Sequence, residues 1–403
     1  MSGPLTGIRI LEVGHMLAGP YATMMLADQG ADVIKVEPLD GDGTRIFGPY
    51  RPEDSEHVFG GYFQSVNRNK RSIAVDLKNP AGRDLVKRLA RDADVLVENY
   101  RHGVMERLGL GYEVLREVNP RLVYATIRGF GDARTGPSPY RDWPAYDVVA
   151  QAMGGIMSIT GPAPGRPVKI GPGIGDIFPA TQCAFGILAA VFHAQRTGQG
   201  QFVDVGMVDA MLSLCERIVH QYSYAGIVPD CEGNAHPLLA PFGLFQCKDG
   251  WATIGCPNDT FWRLLVQVMG QPEWATDPRY ATNAERMRRR DEVNGLVTDW
   301  TLRHTKDELK DLLGGTVPVG PVNTVKDIFE DPHFAARDMI ANVDHPGANH
   351  QVGIANTPIH MTETPGGVRH RAPLLGEHTD EVLSAVGLST EEIEDLRSAG
   401  AVR

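Results

Sequence analysis

The segment Gly171-Pro-Gly-Ile-Gly175-Asp176-Ile-Phe-Pro179 places one carboxylate after a glycine-rich turn, at the start of a long apolar run. Two readings of Asp176 compete. As an N-cap it accepts backbone N–H bonds and favours the helix dipole. As a covalent nucleophile it needs access. The three glycines before it let another chain or a ligand approach, and neighbouring N–H donors would stabilise an oxyanion. Asp147, in Tyr146-Asp147, is a second carboxylate whose alternative role is to cap the helix that follows it. His15 could be a base, a ligand contact or a satisfied turn residue. Arg68, Lys70, Arg71 and Lys78 surround one strand and could either meet phosphates or form a solvated charged face.

These residues need a scaffold, and the amino-terminal half reads as alternating strands and helices. Gly7 to Val13 is strand-like, Gly19-Pro20 suits a helix start and Gly30 its end, and Asp32 to Glu37 is a second strand. Ser72–Asp76, Asp94–Glu98 and Leu122–Ile127 continue the alternation, with a helix opened by Asn79-Pro80, and Gln201–Val205 adds a further candidate. Helices between strands imply a parallel sheet covered on both faces. The turn from Gly14 to Pro20 then lies at the carboxyl end of the first strand, where such sheets bind ligands. It is not a G-x-G-x-x-G, and no nucleotide P-loop occurs, which counts against a nicotinamide enzyme. Long helices are expected over about 176–197 and 209–224. A hairpin turning at Lys248-Asp249-Gly250 follows in a second domain, and Val317–Pro321 reads as a return linker.

Length and composition bound the rest. At 403 residues, two domains are expected. The 39 basic and 50 acidic residues leave a net charge of −11, which disfavours nucleic acid and requires any anionic ligand to be held by a few placed cations. Five widely spaced cysteines without a C-x-x-C pair read as reduced thiols, with no zinc site or other metal expected. Met1-Ser2-Gly3-Pro4 lacks a signal-peptide pattern, and the longest apolar stretch, around Ala184 to Phe192, is shorter than a bilayer span. A cytoplasmic protein with no membrane partner is the expectation.

Taken in order, several blocks resemble the class III CoA-transferases, which include formyl-CoA transferase, the carnitine CoA-transferases and the bile-acid-inducible protein F type. They are Leu11 to Pro20, Val33–Glu37, Asn69–Asp76, Asp94–Tyr100, Met105–Gly109, the Gly171–Asp176 turn and Leu374–Asp380. The resemblance implies an α/β fold: a Rossmann-like large domain, a smaller inserted α+β domain, and a large domain completed by the carboxyl terminus. Residues 1–228 would form the first part of the large domain, 229–325 the small domain and 326–403 the return segment. An interlocked homodimer is implied as well. The resemblance further implies that Asp176 attacks an acyl-CoA carbonyl and carries successive anhydrides and an aspartyl-CoA thioester, with Asp147 orienting groups around it. CoA, as substrate, would be contacted by His15, Ala18, Val75, Lys78, Asn99, Tyr100, Arg107, Tyr146 and Met207.

Leu17 stands where formyl-CoA transferase has glutamine, and that enzyme's run of four glycines has no counterpart here. The segments Asn234-Ala235-His236 and Gly255–Asp259 instead look similar to transferases acting on dicarboxylates such as succinate, glutarate or mesaconate. The expected substrates are therefore an acyl-CoA and a small carboxylic acid. Two alternatives remain. A 2-methylacyl-CoA racemase of the same fold uses a histidine where this chain has Tyr146, and a phenol near ~10 poorly replaces an imidazole near neutrality. The other is a CoA-binding protein without chemistry.

Overall fold

Six short runs become β1 (Arg9–Val13), β2 (Asp32–Glu37), β3 (Lys70–Ala74), β4 (Val95–Glu98), β5 (Val123–Arg128) and β6 (Phe202–Gly206). They form one parallel sheet in the order β3-β2-β1-β4-β5-β6. The order reverses between β1 and β4, where the loops leaving the carboxyl edge diverge and open a crevice. Leu11 pairs with Ile34 on one side and Leu96 on the other, and all three are buried, as a sheet covered on both faces requires. The computed structural model describes residues 3–55, 57, 59–346 and 350–403, so Met1 and Ser2 of the amino-end pattern lie outside the described residues. One unit comprises residues 1–156, 170–220 and 333–403, and a second comprises 157–169 and 221–332.

The first unit carries α1 (Ala18–Asp28), α2 (Gly61–Asn67), α3 (Pro80–Arg91), α4 (Val104–Arg107), α5 (Tyr112–Val118), α6 (Asp147–Met153), α7 (Ile174–Thr197), α8 (Met207–Leu214) and α9 (Glu216–Ala225), the last running into the second unit. In α3 the Asn79 side chain accepts the Ala81 N–H and Pro80 occupies the first turn, while Leu85, Val86, Leu89 and Ala90 are buried. The carboxyl end completes this unit: Val75 bridges Val402, and Asp76 N–H donates to the Ala401 carbonyl at 2.9 Å. Val382, Leu383 and Ile393 join the core of Leu11, Ile34 and Leu96. That pairing with the tail ends β3 at Ala74, two residues before the expected limit.

Three expectations need correction. The run expected as one helix over 209–224 is broken at Cys215, whose ψ of 34° leaves the helical region and whose amide is shared between the Met211 and Leu212 carbonyls. Val317–Pro321 is no linker: Val319–Pro321 forms β9, an edge strand on β8 (Gly250–Gly255), a position where proline's missing N–H is tolerated. α7 is also long and apolar enough, by length and composition, to cross a membrane, because its polar residues are scattered and hide the run from a count of uninterrupted apolar positions. In the fold it packs on α1, β5 and β6, with 44% of its most apolar window buried.

In the second unit β7 (Phe242–Cys247) and β8 (Gly250–Gly255) form the hairpin, with Cys247 opposite Gly250, and β9 completes an antiparallel sheet. Trp262, Leu265, Val293, Val297 and Leu309 fill its core.

Candidate active site

β1 and β4 end side by side, and the loops leaving them are tied together by one side chain. Asn99 Oδ1 accepts the His15 N–H at 2.9 Å, and Asn99 Nδ2 donates to the His15 carbonyl at 2.9 Å. A Cβ on Gly14 or Gly19 would meet Asn99 Oδ1 at 3.1 Å, so the close approach requires small residues there. The His15 ring lies 5.0 Å from that of Tyr100, and burial lowers its pKa, favouring the neutral imidazole.

The glycine turn before α7 is lashed to α6. Asp147 Oδ1 accepts the Gly175 N–H at 2.8 Å and a Gln151 Nε2–H bond at 2.8 Å, and Gln151 Oε1 accepts the Ile170 N–H at 2.9 Å. Gln151, which sequence reasoning missed, is fully buried and grips the far end of the turn. Its place one helical turn after Asp147 was the available signal. A Cβ on Gly175 would sit 2.4 Å from the Asp147 carbonyl oxygen, and one on Gly173 would sit 3.0 Å from Leu17 Cδ2. Those two glycines therefore admit protein neighbours, whereas Gly171 has open space around its Cβ position.

This geometry separates the two carboxylates. Asp147 caps α7 rather than α6, whose first residue it is. Asp176 is the third residue of α7, it caps nothing, and its carboxylate makes no hydrogen bond among the described residues. The N-cap reading of Asp176 therefore fails. The first four amides of α7 are likewise not free to serve as oxyanion donors. The Gly175 amide is taken by Asp147, Ile174 N–H by the Pro172 carbonyl, and the amides of Asp176 and Ile177 by Gly173. Burial pushes the Asp176 carboxyl up to about 7, and the Asp147 charge adds to the rise.

Two adjoining cavities in the first unit receive the remaining expected residues. One, of 310 Å³, is lined by His15, Ala18, Asn99, Tyr100, Tyr146, Met207 and Asp176. The other, of 450 Å³, is lined by Val75, Lys78, Tyr100 and Arg107. Tyr100 and Val104 wall both. Asp147 lines neither and touches the turn before Asp176 through the Gly175 amide.

Of the basic cluster, Arg68 is paired with Asp28 at 2.7 Å, Lys70 with Glu12 at 2.6 Å and Arg71 with Asp32 at 2.6 Å. Lys78 alone of the four makes no ion pair among the described residues. The sequence also conceals Tyr62 on α2, which lines the first cavity. Burial raises its hydroxyl pKa, and the charges of Asp176, Asp42 and Asp147 raise it further. Arg128, at the carboxyl end of β5, lines the same cavity and pairs with Glu98 at 2.5 Å and with Asp132. A cation at a strand's carboxyl end was the signal for it. All five cysteines are free and buried. Among the described residues no group of three or more His, Cys, Asp or Glu is placed to hold a metal ion.

Residues 5–379 match the family model described as CoA-transferase family III. The chain is 48% identical over 391 residues to a succinyl-CoA:mesaconate CoA-transferase of Haloarcula hispanica, covering 96% of this chain and 98% of that protein. It is 41% identical over 385 residues to a succinate–glutarate CoA-transferase of Agrobacterium fabrum, covering 94% of this chain and 95% of that one. A crystal structure of a CaiB/BaiF family protein from Brucella suis superposes with a TM-score of 0.86 at 37% identity, over 96% of this chain and 100% of that chain.

Proposed function

The chain belongs to CoA-transferase family III, and we propose that it moves coenzyme A from an acyl-CoA to a small dicarboxylic acid such as succinate, glutarate or mesaconate, with Asp176 as covalent nucleophile. The observation that carries this reading is a half-buried carboxylate on a cavity wall that holds no hydrogen bond of its own, while the neighbouring carboxylate does the capping. The dicarboxylate preference is supported by the relatives' substrates.

In the reaction the Asp176 carboxylate attacks the thioester carbonyl, expelling CoA thiolate and leaving a mixed anhydride. The thiolate attacks the aspartyl carbonyl and releases the donor acid, which gives an aspartyl-CoA thioester. The acceptor carboxylate displaces thiolate from that thioester, and the thiolate then attacks the acceptor carbonyl of the second anhydride, yielding the new acyl-CoA and free Asp176. Each tetrahedral intermediate needs donors, and those of α7 are occupied. The amides of Leu17 and Ala18, residues on the same cavity wall, make no hydrogen bond among the described residues and are assigned that task. Val75, Lys78, Tyr100 and Arg107 would hold the nucleotide portion in the second cavity, with the two cations answering its phosphates.

Homodimer formation is supported by Phe185, Leu188 and Phe192, which α7 leaves exposed. Five buried free thiols fit a reducing cytoplasm. The test is to add succinyl-CoA, trap with borohydride and locate the modified residue by mass spectrometry, then screen acceptor acids. Label on Asp176 with exchange to a dicarboxylate is expected. Exchange surviving Asp176→Ala, or deuterium uptake from D₂O into a 2-methylacyl-CoA without an acceptor, would overturn the reading.

A further inference from the structure

We propose that Asp42, working with Lys35, is a positioning residue for the transfer reaction: it holds Met16 in a left-handed backbone conformation and so fixes the turn that walls the Asp176 cavity. This rests on the reading of Asp176 as nucleophile.

Met16 has φ of +62°, a region disfavoured for any residue with a Cβ and one in which methionine has no side-chain bond to offset the strain. Something outside the turn must hold it, and the structure shows what does. Lys35 Nζ donates to the Gly14 carbonyl at 3.1 Å, Asn99 takes both backbone groups of His15, and Asp42 Oδ1 accepts the Met16 N–H at 3.3 Å. Three consecutive residues are thus gripped by side chains from β2, the loop after it and the loop after β4.

Asp42 is itself held rigidly. Its Oδ2 lies 2.8 Å from Lys35 Nζ, its Oδ1 accepts the Thr44 N–H and hydroxyl at 2.8 Å each, and its own N–H reaches Glu37 Oε2 at 3.0 Å. Behind it Lys35 meets Glu12 at 2.7 Å and Glu12 meets Lys70 at 2.6 Å, all three side chains fully buried. This chain of alternating charges runs from inside the sheet to the turn. Such a chain adds little stability over an apolar replacement, but it specifies orientation. What it orients is the wall formed by His15, Met16, Leu17 and Ala18 beside Asp176.

The test measures kcat and KM for acyl-CoA. Asp42→Ala should lower kcat about 10²-fold while KM stays within about threefold, since the chemistry loses its geometry and the second cavity is untouched. Asp42→Asn keeps an acceptor for the Met16 amide and should lose only about tenfold. Adding Met16→Gly to Asp42→Ala should recover about tenfold, because glycine takes positive φ without a tether. A merely structural defect would not be recovered by glycine. Wild-type kcat in Asp42→Ala, or no recovery in the double variant, overturns the proposal. Should Asp42→Ala fail to fold, Met16→Val replaces it: a β-branched residue resists this conformation, kcat should fall about 10²-fold, and an unchanged kcat overturns the proposal. Acyl trapping on Asp176 in the unaltered enzyme separates the two readings. Trapping with a fully active Asp42→Ala removes only the positioning role, and no trapping removes the nucleophile on which that role rests.

Discussion

Replacing Asp176 with asparagine should make the protein inactive and, above neutrality, more stable. Burial and the Asp147 charge raise the Asp176 carboxyl from 3.8 to about 7. The folded state therefore binds this proton more tightly than the unfolded state does. Below about pH 4 the group is protonated in both and costs nothing, between about pH 4 and 7 the unfolded chain ionises first and stability falls, and above about pH 7 the loss is complete. The difference, 7 − 3.8 = 3.2 units, corresponds to about 4 kcal/mol at ~1.36 kcal/mol per unit. Because the side chain is half-buried and water reaches the cavity, roughly 2 kcal/mol is the expected measured effect. Asparagine has nearly the same shape and never ionises. Urea denaturation of both proteins at one protein concentration should show Asp176→Asn ahead by roughly 2 kcal/mol near pH 8, shrinking toward zero near pH 4. Other carboxylates titrate in both proteins and cancel in the difference. An equal gap at the two pH values, or a less stable Asp176→Asn near pH 8, would refute the reasoning that this carboxylate is held desolvated and unsatisfied.

With Asp176 attacking in its ionised form, as proposed, kcat/KM should rise with pH through about 7. Asp147→Asn keeps an acceptor for the Gly175 amide and removes the like charge, so the midpoint should move to lower pH; a midpoint that stays put would assign the profile to another group. Gly175→Ala forces a Cβ to 2.4 Å from the Asp147 carbonyl oxygen and should cost about 10²-fold in rate by displacing the nucleophile. Gly171→Ala, with nothing within 4 Å, should stay within about twofold by the same reasoning, and initial rates of variants with matched circular dichroism decide. Lys78→Ala and Arg107→Ala should each raise KM for acyl-CoA about tenfold with little change in kcat, more so at low salt. Equal losses in kcat would place those cations at the reacting centre instead of the nucleotide.

The parts of this molecule that were legible in its sequence are those governed by local pattern. β2 is found at its expected limits, and Asn79-Pro80 opens its helix, because strand composition and first-turn chemistry are short-range effects. β3 shifts by two residues because a strand's end depends on what pairs with it, here a tail more than three hundred residues away. Val319–Pro321 is a strand because β8 offers it an edge, although Pro318 before it and Pro321 at its end read locally as a linker. The turn carrying His15 was legible as a ligand position because it follows the first strand of a parallel sheet, whereas Asn99 and Tyr100 were named only by the family resemblance, since parallel strands do not by themselves say that β4 lies beside β1.

What escaped was the fate of individual charges. Arg68, Lys70 and Arg71 resemble Lys78 in the sequence, yet they are consumed by Asp28, Glu12 and Asp32, and of the four only Lys78 lines the cavity beside Tyr100 and Arg107 with no ion pair among the described residues. A charge can be read as functional only after its partners are known, and those partners lie on neighbouring strands whose register a linear sequence does not display. The two aspartates show the same point from the other side. Position alone makes each a capping candidate, and the structure resolves the pair by giving the Gly175 amide to Asp147 and leaving Asp176 with none. The capping carboxylate is held in place by its hydrogen bonds, whereas the other is desolvated and unbonded among the described residues, which is the ground for proposing it as the nucleophile. On the proposed reading, reactivity follows from hydrogen bonds that are withheld: two aspartates of one residue type are told apart by which of them is satisfied.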